Sequence, residues 1–105
     1  MKHLLPVELR ARIAAGDKFQ LIDVREAWEF DTVRIGGSLL IPMGEVASRV
    51  GELGNDSDIV VICHHGGRSL QIAAFLERAG FSGIHNLTGG VDAWARSIDP
   101  SMPTY

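Results

Sequence analysis

The chain has 105 residues, of which 46% are hydrophobic and 22% charged, a composition that excludes disordered and fibrous proteins. Ten basic and thirteen acidic residues give a net charge of −3, which argues against nucleic-acid and anionic-membrane partners. Because a single cysteine cannot form an internal disulfide, we expect a cytoplasmic protein. No membrane span or signal peptide is apparent. We expect one domain over residues 1–105.

The first half of the chain predicts a helix, a strand and a second helical stretch. Pro6 opens an apolar stripe with helical spacing, and Gly16 ends it. Residues 19–24 (FQLIDV) are typical of a buried strand, and the charged stretch that follows predicts a short helix or turn. A glycine-containing loop then surrounds the segment SLLI, which predicts a brief strand. Residues 43–53 have apolar residues at helical spacing again.

The second half contains the clearest elements. Residues 58–63 (DIVVIC) predict a buried strand, and residues 69–79 predict a strong helix that ends at Gly80. Residues 81–87 are typical of a weaker strand, and the glycine pair after it leads into a last helix. Since strands alternate with helices at short spacing, we expect a small α/β domain. Its sheet should be mostly parallel and flanked by helices on both faces.

A polar, glycine-containing loop follows the best strand and leads into the best helix. It consists of Cys63, His64, His65, Gly66, Gly67, Arg68 and Ser69. In open α/β sheets, ligands bind at the carboxyl ends of the strands, where this loop lies. Glycines allow backbone amides to turn toward one centre, and the following helix adds unpaired amides and its dipole. The loop therefore predicts an anion site that stabilises a reactive thiolate at Cys63.

Each polar residue of this region also has a structural interpretation. Without the rest of the loop, a cysteine at the end of a strand, such as Cys63, is more typical of a small buried apolar residue. His64 and His65 either help to bind an anionic ligand or are exposed loop residues. With Cys63 they contain metal-ligating groups, but three consecutive residues rarely converge on one ion. We therefore expect neither a metal nor another cofactor.

Three further charged residues are candidates for the site. Arg68 either binds an anion or anchors the loop through an ion pair with Glu26 or Asp23. Asp23 and Arg25 follow the first predicted strand, so they should lie at the same edge of the sheet. They form either a charged pocket wall or, as we favour, an internal ion pair. We expect packing roles, rather than substrate platforms, for both tryptophans, Trp28 and Trp94.

The loop resembles the active-site loop of single-domain rhodaneses, C-x-x-G-x-R-S. Three other segments resemble the family in the same order along the chain. Residues 23–30 (DVREAWEF) are similar to D-V-R-E-x-x-E-F/Y, residues 35–42 (IGGSLLIP) to H-I-x-G-A…I-P, and residues 87–94 (LTGGVDAW) to L-x-G-G…A-W. Arg34 stands where many relatives have His, and Ser38 where most have Ala. Both differences lie outside the loop.

This resemblance implies a rhodanese-like fold and sulfurtransferase activity. Cys63 would take the outer sulfur of thiosulfate or a similar small anion and become a persulfide. An acceptor, which is cyanide in the assay and a thiol or a protein in the cell, would then remove that sulfur. The absence of a second cysteine fits, because a neighbouring thiol would attack the persulfide. We expect a monomer that needs no cofactor.

Two other functions are compatible with the same loop. One is a persulfide carrier or regulatory interaction module that turns thiosulfate over slowly. The other is a cysteine phosphatase or arsenate reductase, since the dual-specificity phosphatases share the rhodanese fold. Their loops follow C-x5-R, whereas four residues separate Cys63 from Arg68 here. The shorter loop favours a sulfur atom over a tetrahedral phosphate.

Overall fold

A computed structural model describes residues 1–55 and 57–105. Within these ranges the strands are β1 (Lys2–Leu4), β2 (Phe19–Asp23), β3 (Ser38–Leu40), β4 (Asp58–Ile62) and β5 (Ile84–Leu87). The α-helices are α1 (Pro6–Ala14), α2 (Ala27–Thr32), α3 (Val46–Arg49), α4 (Gly67–Arg78) and α5 (Gly90–Ser97). Short 3-10 turns, Met43–Glu45 and Val50–Glu52, flank α3. No described helix has the length and apolar character needed to cross a bilayer.

The strands form one parallel sheet in the order β1-β5-β4-β2-β3. β4 lies at the centre and is the most deeply buried strand, which agrees with its unbroken run of β-branched residues. Each parallel step needs a crossover, and the helices supply it. The predicted α/β architecture with a parallel sheet is therefore confirmed.

Two apolar clusters cover the two faces of the sheet. Successive residues of a strand point to opposite faces, and β4 shows this alternation. Ile59 and Val61 pack in a cluster with residues of α3 and α4. Val60 and Ile62 pack in a second cluster with residues of α1 and α5. The helices thus lie on both faces, as the sequence predicts.

Some predicted elements differ from the structure. Residues 43–53 form one α-helical turn between two 3-10 turns, because Gly44 and Gly51 weaken a continuous helix. α4 begins at Gly67, two residues earlier than predicted, and β5 begins at Ile84 rather than at residue 81. The edge strand β1 was not predicted at all. Its three residues are too few to show an alternating pattern, and pairing with β5 defines them.

His85 is a buried titratable residue within β5. Its side chain is 4% exposed, and its ring packs edge-on against Phe19 at 5.6 Å between centroids. The Nδ1 atom has no hydrogen-bond partner among the described residues, and Nε2 lies 3.6 Å from Asp58 Oδ1. Burial lowers the pKa of His85 below its ordinary value, despite the nearby carboxylate. The folded protein therefore favours the neutral imidazole.

We predict that His85 makes folding sensitive to mild acid. As the pH falls below the ordinary histidine value of 6.5, the unfolded chain binds a proton more readily than the folded one. The free energy of unfolding should fall by about 1.4 kcal/mol for each unit that separates the two pKa values. Urea unfolding across this range should show a shallower slope for His85→Gln. His3→Gln, at an exposed position of β1, is the matched control and should keep the wild-type slope.

Candidate active site

Cys63 lies immediately after β4, where the N-terminus of α5 holds the loop backbone. Val91 N–H donates to the Cys63 carbonyl oxygen at 2.8 Å, and Asp92 N–H donates to the His64 carbonyl oxygen at 3.1 Å. A Cβ atom at Gly90 would lie 2.3 Å from the Cys63 carbonyl oxygen. Gly90, with φ of +62°, is therefore needed for this close approach. This contact explains the glycine pair before α5.

The Cys63 sulfur lies inside the loop and accepts a backbone hydrogen bond. Cys63 is 1% exposed, and Gly66 N–H donates to its Sγ at 3.0 Å. Gly66 adopts φ of +109°, which side chains rarely allow, whereas Gly67 is the first residue of α4 and has open space around it. The positive end of α4 also faces the loop. The amide and the helix end thus place positive partial charge beside the sulfur.

Arg68 is anchored by Glu29 rather than by either predicted partner. Its Nη1 and Nη2 donate to Glu29 Oε1 and Oε2 at 2.6 and 2.8 Å, a two-bond pair between α4 and α2. The Glu29 side chain is 5% exposed. The Arg68 hydrogen bonds lower the pKa of Glu29 from 4.5 to about 2, against the opposing effect of burial. The ion-pair anchor that the sequence offered as one role of Arg68 is therefore present, with Glu29 rather than Glu26 or Asp23 as its carboxylate.

Asp23 and Arg25 form the internal ion pair that the sequence favours. Both side chains are fully buried, with Arg25 Nη2 donating to Asp23 Oδ2 at 2.7 Å. Arg25 Nη2 also donates to the Val33 carbonyl oxygen at 2.6 Å, directly after α2. The pair therefore links the carboxyl end of β2 to the helix that carries Glu29.

Tyr105 joins these two ion pairs, and the sequence analysis missed it. Its hydroxyl donates to Glu29 Oε2 at 2.7 Å and accepts from Arg25 Nη1 at 2.9 Å. Its ring stacks on His64, with 3.9 Å between centroids and 10° between planes. Burial raises the pKa of Tyr105, so the hydroxyl keeps the proton that it donates. Eighty residues separate Tyr105 from Arg25, and no motif marks this contact.

The two histidines of the loop differ in environment. His64 is half-buried, and burial lowers its pKa, so its neutral form is favoured. Its Nε2 is buried and has no hydrogen-bond partner among the residues that the structure describes. His65 is exposed, with Nδ1 3.9 Å from Asp92 Oδ2. The expectation of an exposed loop residue therefore fits His65 and not His64. No described group of His, Cys, Asp and Glu side chains has the arrangement of a metal site.

The two tryptophans also differ from each other. Trp94 packs against the apolar cluster on the α1 and α5 face of the sheet, as expected. Trp28 is 62% exposed and contacts the edge of the Tyr105 ring at 5.6 Å. Trp28 is therefore not a core residue, and the contact through which it packs is with Tyr105. It lies on the outer surface of α2, beside the loop.

Comparisons with known proteins agree on one family. The rhodanese-like domain model matches residues 5–97. The chain belongs to the rhodanese-like domain family. A sulfurtransferase of Allochromatium vinosum is 36% identical over 88 residues, which cover 84% of this chain and 82% of that protein. A rhodanese-like domain protein from Staphylococcus aureus superposes with a TM-score of 0.86 at 26% identity, covering 100% of this chain and 99% of that one.

Other relatives of this rhodanese-like domain are longer proteins. The rhodanese-like/PpiC domain-containing protein 12 of Arabidopsis thaliana is 38% identical over 93 residues. The match covers 85% of this chain but 31% of that protein, so the chain spans about a third of its length. Relatives named as sulfurtransferases are 32–40% identical to the chain.

We predict that Glu29 contributes to stability only where it is ionised. Its pKa is lower in the folded chain, so its contribution is complete above 4.5 and is lost as the pH falls toward 2. Glu29→Gln should lower the free energy of unfolding at neutral pH by about 2 kcal/mol and flatten this acid decline. Chemical unfolding measured at several pH values tests the expectation. Glu26→Gln makes the same change at an exposed position and should keep the decline.

We also predict that the Tyr105 hydroxyl stabilises the rhodanese-like fold. Tyr105→Phe keeps the ring that stacks on His64 but removes the bridge between Arg25 and Glu29. Its free energy of unfolding in urea should fall by about 1 kcal/mol, the usual value of such a bond. Tyr105→Leu should cost more, because the stacking contact is lost as well. Wild-type stability in Tyr105→Phe would contradict a bridging role.

Proposed function

We propose that this domain is a sulfurtransferase that carries sulfane sulfur on Cys63 and uses thiosulfate or a similar anion as donor. The observation that carries the proposal is the hydrogen bond from Gly66 N–H to the Cys63 sulfur, at the start of α4. This loop supplies a sulfur nucleophile and amide donors for charge in one place. A cysteine that only packs in an apolar core would have neither a nucleophilic sulfur nor amide donors beside it.

In the proposed first half-reaction, the Cys63 thiolate attacks the outer sulfur of thiosulfate. A new sulfur–sulfur bond forms, and the bond to the sulfite group breaks with its electron pair, which releases sulfite. In the second half-reaction, an acceptor nucleophile attacks the outer sulfur of the persulfide, and Cys63 leaves as thiolate. Cyanide would leave as thiocyanate, and a thiol acceptor would become a persulfide. The loop amides stabilise the negative sulfur in both steps.

Arg68 has an anchoring role in this proposal. Both of its terminal nitrogens are engaged by Glu29, so its charge is largely neutralised within the protein. The donor anion is then held mainly by loop amides and by the N-terminus of α4. His64 and His65 are part of the loop. Because the lowered pKa of His64 favours the neutral imidazole, its ring can form a hydrogen bond with the donor anion without adding a charge to the site. Asp23 and Arg25 act on the loop indirectly, because they hold the helix whose Glu29 anchors Arg68.

The acceptor is proposed to be a thiol or a protein. Relatives are named as an adenylyltransferase and sulfurtransferase in Arabidopsis thaliana and as a sulfur carrier in Bacillus subtilis. The second name favours an alternative in which the domain carries persulfide but turns thiosulfate over slowly. We propose action as a monomer, since one chain supplies every residue of the proposed site. A cytoplasmic location suits its single unpaired thiol.

We predict that thiosulfate adds one sulfur atom to the protein and that cyanide removes it. Intact mass spectrometry before and after each reagent measures both changes. Cys63→Ser replaces the sulfur by a similar hydroxyl and should gain no mass. A sulfur gain in Cys63→Ser would show that another group is the nucleophile, and no gain in the wild-type protein would contradict thiosulfate as donor.

Steady-state kinetics separate the enzyme from the carrier. An enzyme should release thiocyanate through many turnovers with thiosulfate and cyanide. A carrier should load once from a protein-bound persulfide and show little such turnover. After thiosulfate alone is added, most of the protein should hold extra sulfur if it is an enzyme, and little of it should if it is a carrier.

A further inference from the structure

A buried hydroxyl–amide pair lies beside the proposed nucleophile. Ser69, on the first turn of α4, is fully buried, and Asn86, on β5, is 5% exposed. The Ser69 hydroxyl oxygen lies 2.5 Å from Asn86 Oδ1 and 3.3 Å from the Cys63 sulfur. These contacts connect Cys63, at the end of the central strand, to the strand next to it. The sequence analysis assigned no role to Asn86.

The Ser69 hydroxyl has one proton, and three groups compete for it. Besides Asn86 Oδ1 and the Cys63 sulfur, the Gly66 carbonyl oxygen lies at 3.1 Å. That carbonyl already accepts a hydrogen bond from Leu70 N–H at 3.1 Å, so it does not depend on the serine. The shortest contact places the proton on the Asn86 side. The Cys63 thiol then donates to the Ser69 oxygen, and the chain of bonds runs from sulfur to amide.

We propose that Ser69 and Asn86 form a relay that reverses its hydrogen bonds when Cys63 loses its proton. In the reversed state the Ser69 hydroxyl donates to the negative sulfur. The Asn86 amide turns over, and its Nδ2 donates to the Ser69 oxygen that has lost the thiol donor. Asn86 is thus a positioning residue that acts through Ser69. The relay deepens the proposed function, because it rests on Cys63 as the nucleophile.

Asparagine is suited to this task because one side chain offers a donor and an acceptor. Rotation of the amide exchanges the two atoms without moving the backbone. Ser69 is the only described partner of Asn86 Oδ1, and the described residues provide none for Nδ2. The amide can therefore turn without breaking a second bond. An aspartate at this position could only accept, and it would keep the serine proton away from the sulfur.

The electrostatic surroundings of the sulfur come from several elements. The charged and titratable groups around the loop are Asp23 and Arg25 after β2, Glu29 on α2, His64 and His65 in the loop, Arg68 on α4, Asp92 on α5 and Tyr105. Each of them is unchanged by a substitution of Asn86. Asn86→Asp adds a charge that acts on the sulfur with or without Ser69, so the part of the midpoint change that requires Ser69 reports on the relay.

The test measures the alkylation rate of Cys63 by iodoacetamide as a function of pH in the sulfur-free protein. Asn86→Asp should lower the rate at neutral pH about tenfold and move the midpoint to higher pH, because the sulfur loses a donor and gains a negative charge nearby. The alkaline plateau, where all of the thiol is ionised, should stay within about twofold of the wild-type value. Asn86→Asp in a Ser69→Ala background adds the same charge at the same place, and its midpoint should differ less from that of Ser69→Ala than Asn86→Asp differs from the wild type.

A double-mutant cycle tests whether Asn86 acts through Ser69. Asn86→Leu removes the amide without adding charge, and Ser69→Ala removes the hydroxyl. If the pair acts as a unit, the double variant should lose no more reactivity than Ser69→Ala alone. Additive losses, or an unchanged midpoint in Asn86→Asp, would overturn the relay. A lower plateau at an unchanged midpoint would overturn it too, since that result indicates altered access to the thiol.

Circular dichroism and thermal unfolding identify any variant that does not fold. If Asn86→Asp fails to fold, the cycle with Asn86→Leu still decides the question. Alkylation needs no sulfur donor, so its outcome is independent of the mass gain with thiosulfate. If the wild-type protein does not accept sulfur while Asn86→Asp shows a midpoint shift that depends on Ser69, the proposed function is contradicted and the relay stands.

Discussion

The two-bond ion pair between Arg68 and Glu29 is the contact on which the geometry of the site depends. It ties the first turn of α4, and with it the loop around Cys63, to the short helix α2. The Tyr105 hydroxyl and the Asp23–Arg25 pair extend the connection to the end of β2. A loop rich in glycine has little conformational preference of its own, so these contacts define its shape.

The parallel sheet brings these parts together. Asp23 is the last residue of β2, Cys63 follows the neighbouring strand β4, and the amides at the start of α5 follow β5 on the other side of β4. Because all of the described strands run in one direction, their carboxyl ends meet at one edge. The apolar clusters on the two faces hold that edge rigid, while the loops above it carry the polar groups.

The sequence predicted the architecture because local patterns encode it, and it predicted that the loop of the proposed site follows the central strand. The run of β-branched residues in β4 and the glycine pairs are visible in a few consecutive residues. The Glu29 partner of Arg68, the bridge through Tyr105 and the Ser69–Asn86 contact were not predicted, because each joins residues distant along the chain. The exposure of Trp28 and the edge strand β1 likewise depend on how the elements pack. Long-range side-chain pairing has no local signature.

The paired charges of the side chains next to the loop affect how an anion would approach the sulfur. Asp23, Arg25, Glu29 and Arg68 contribute two negative and two positive charges, which cancel over a few ångströms. What remains at the sulfur is the field of oriented amides and of one helix end, which fades within about one turn. The chain as a whole carries −3. Under the proposed function, long-range attraction of the donor anion is thus absent, and the anion would be bound only by contact with the loop. Added salt, which screens distant charges, has little to weaken in such a site.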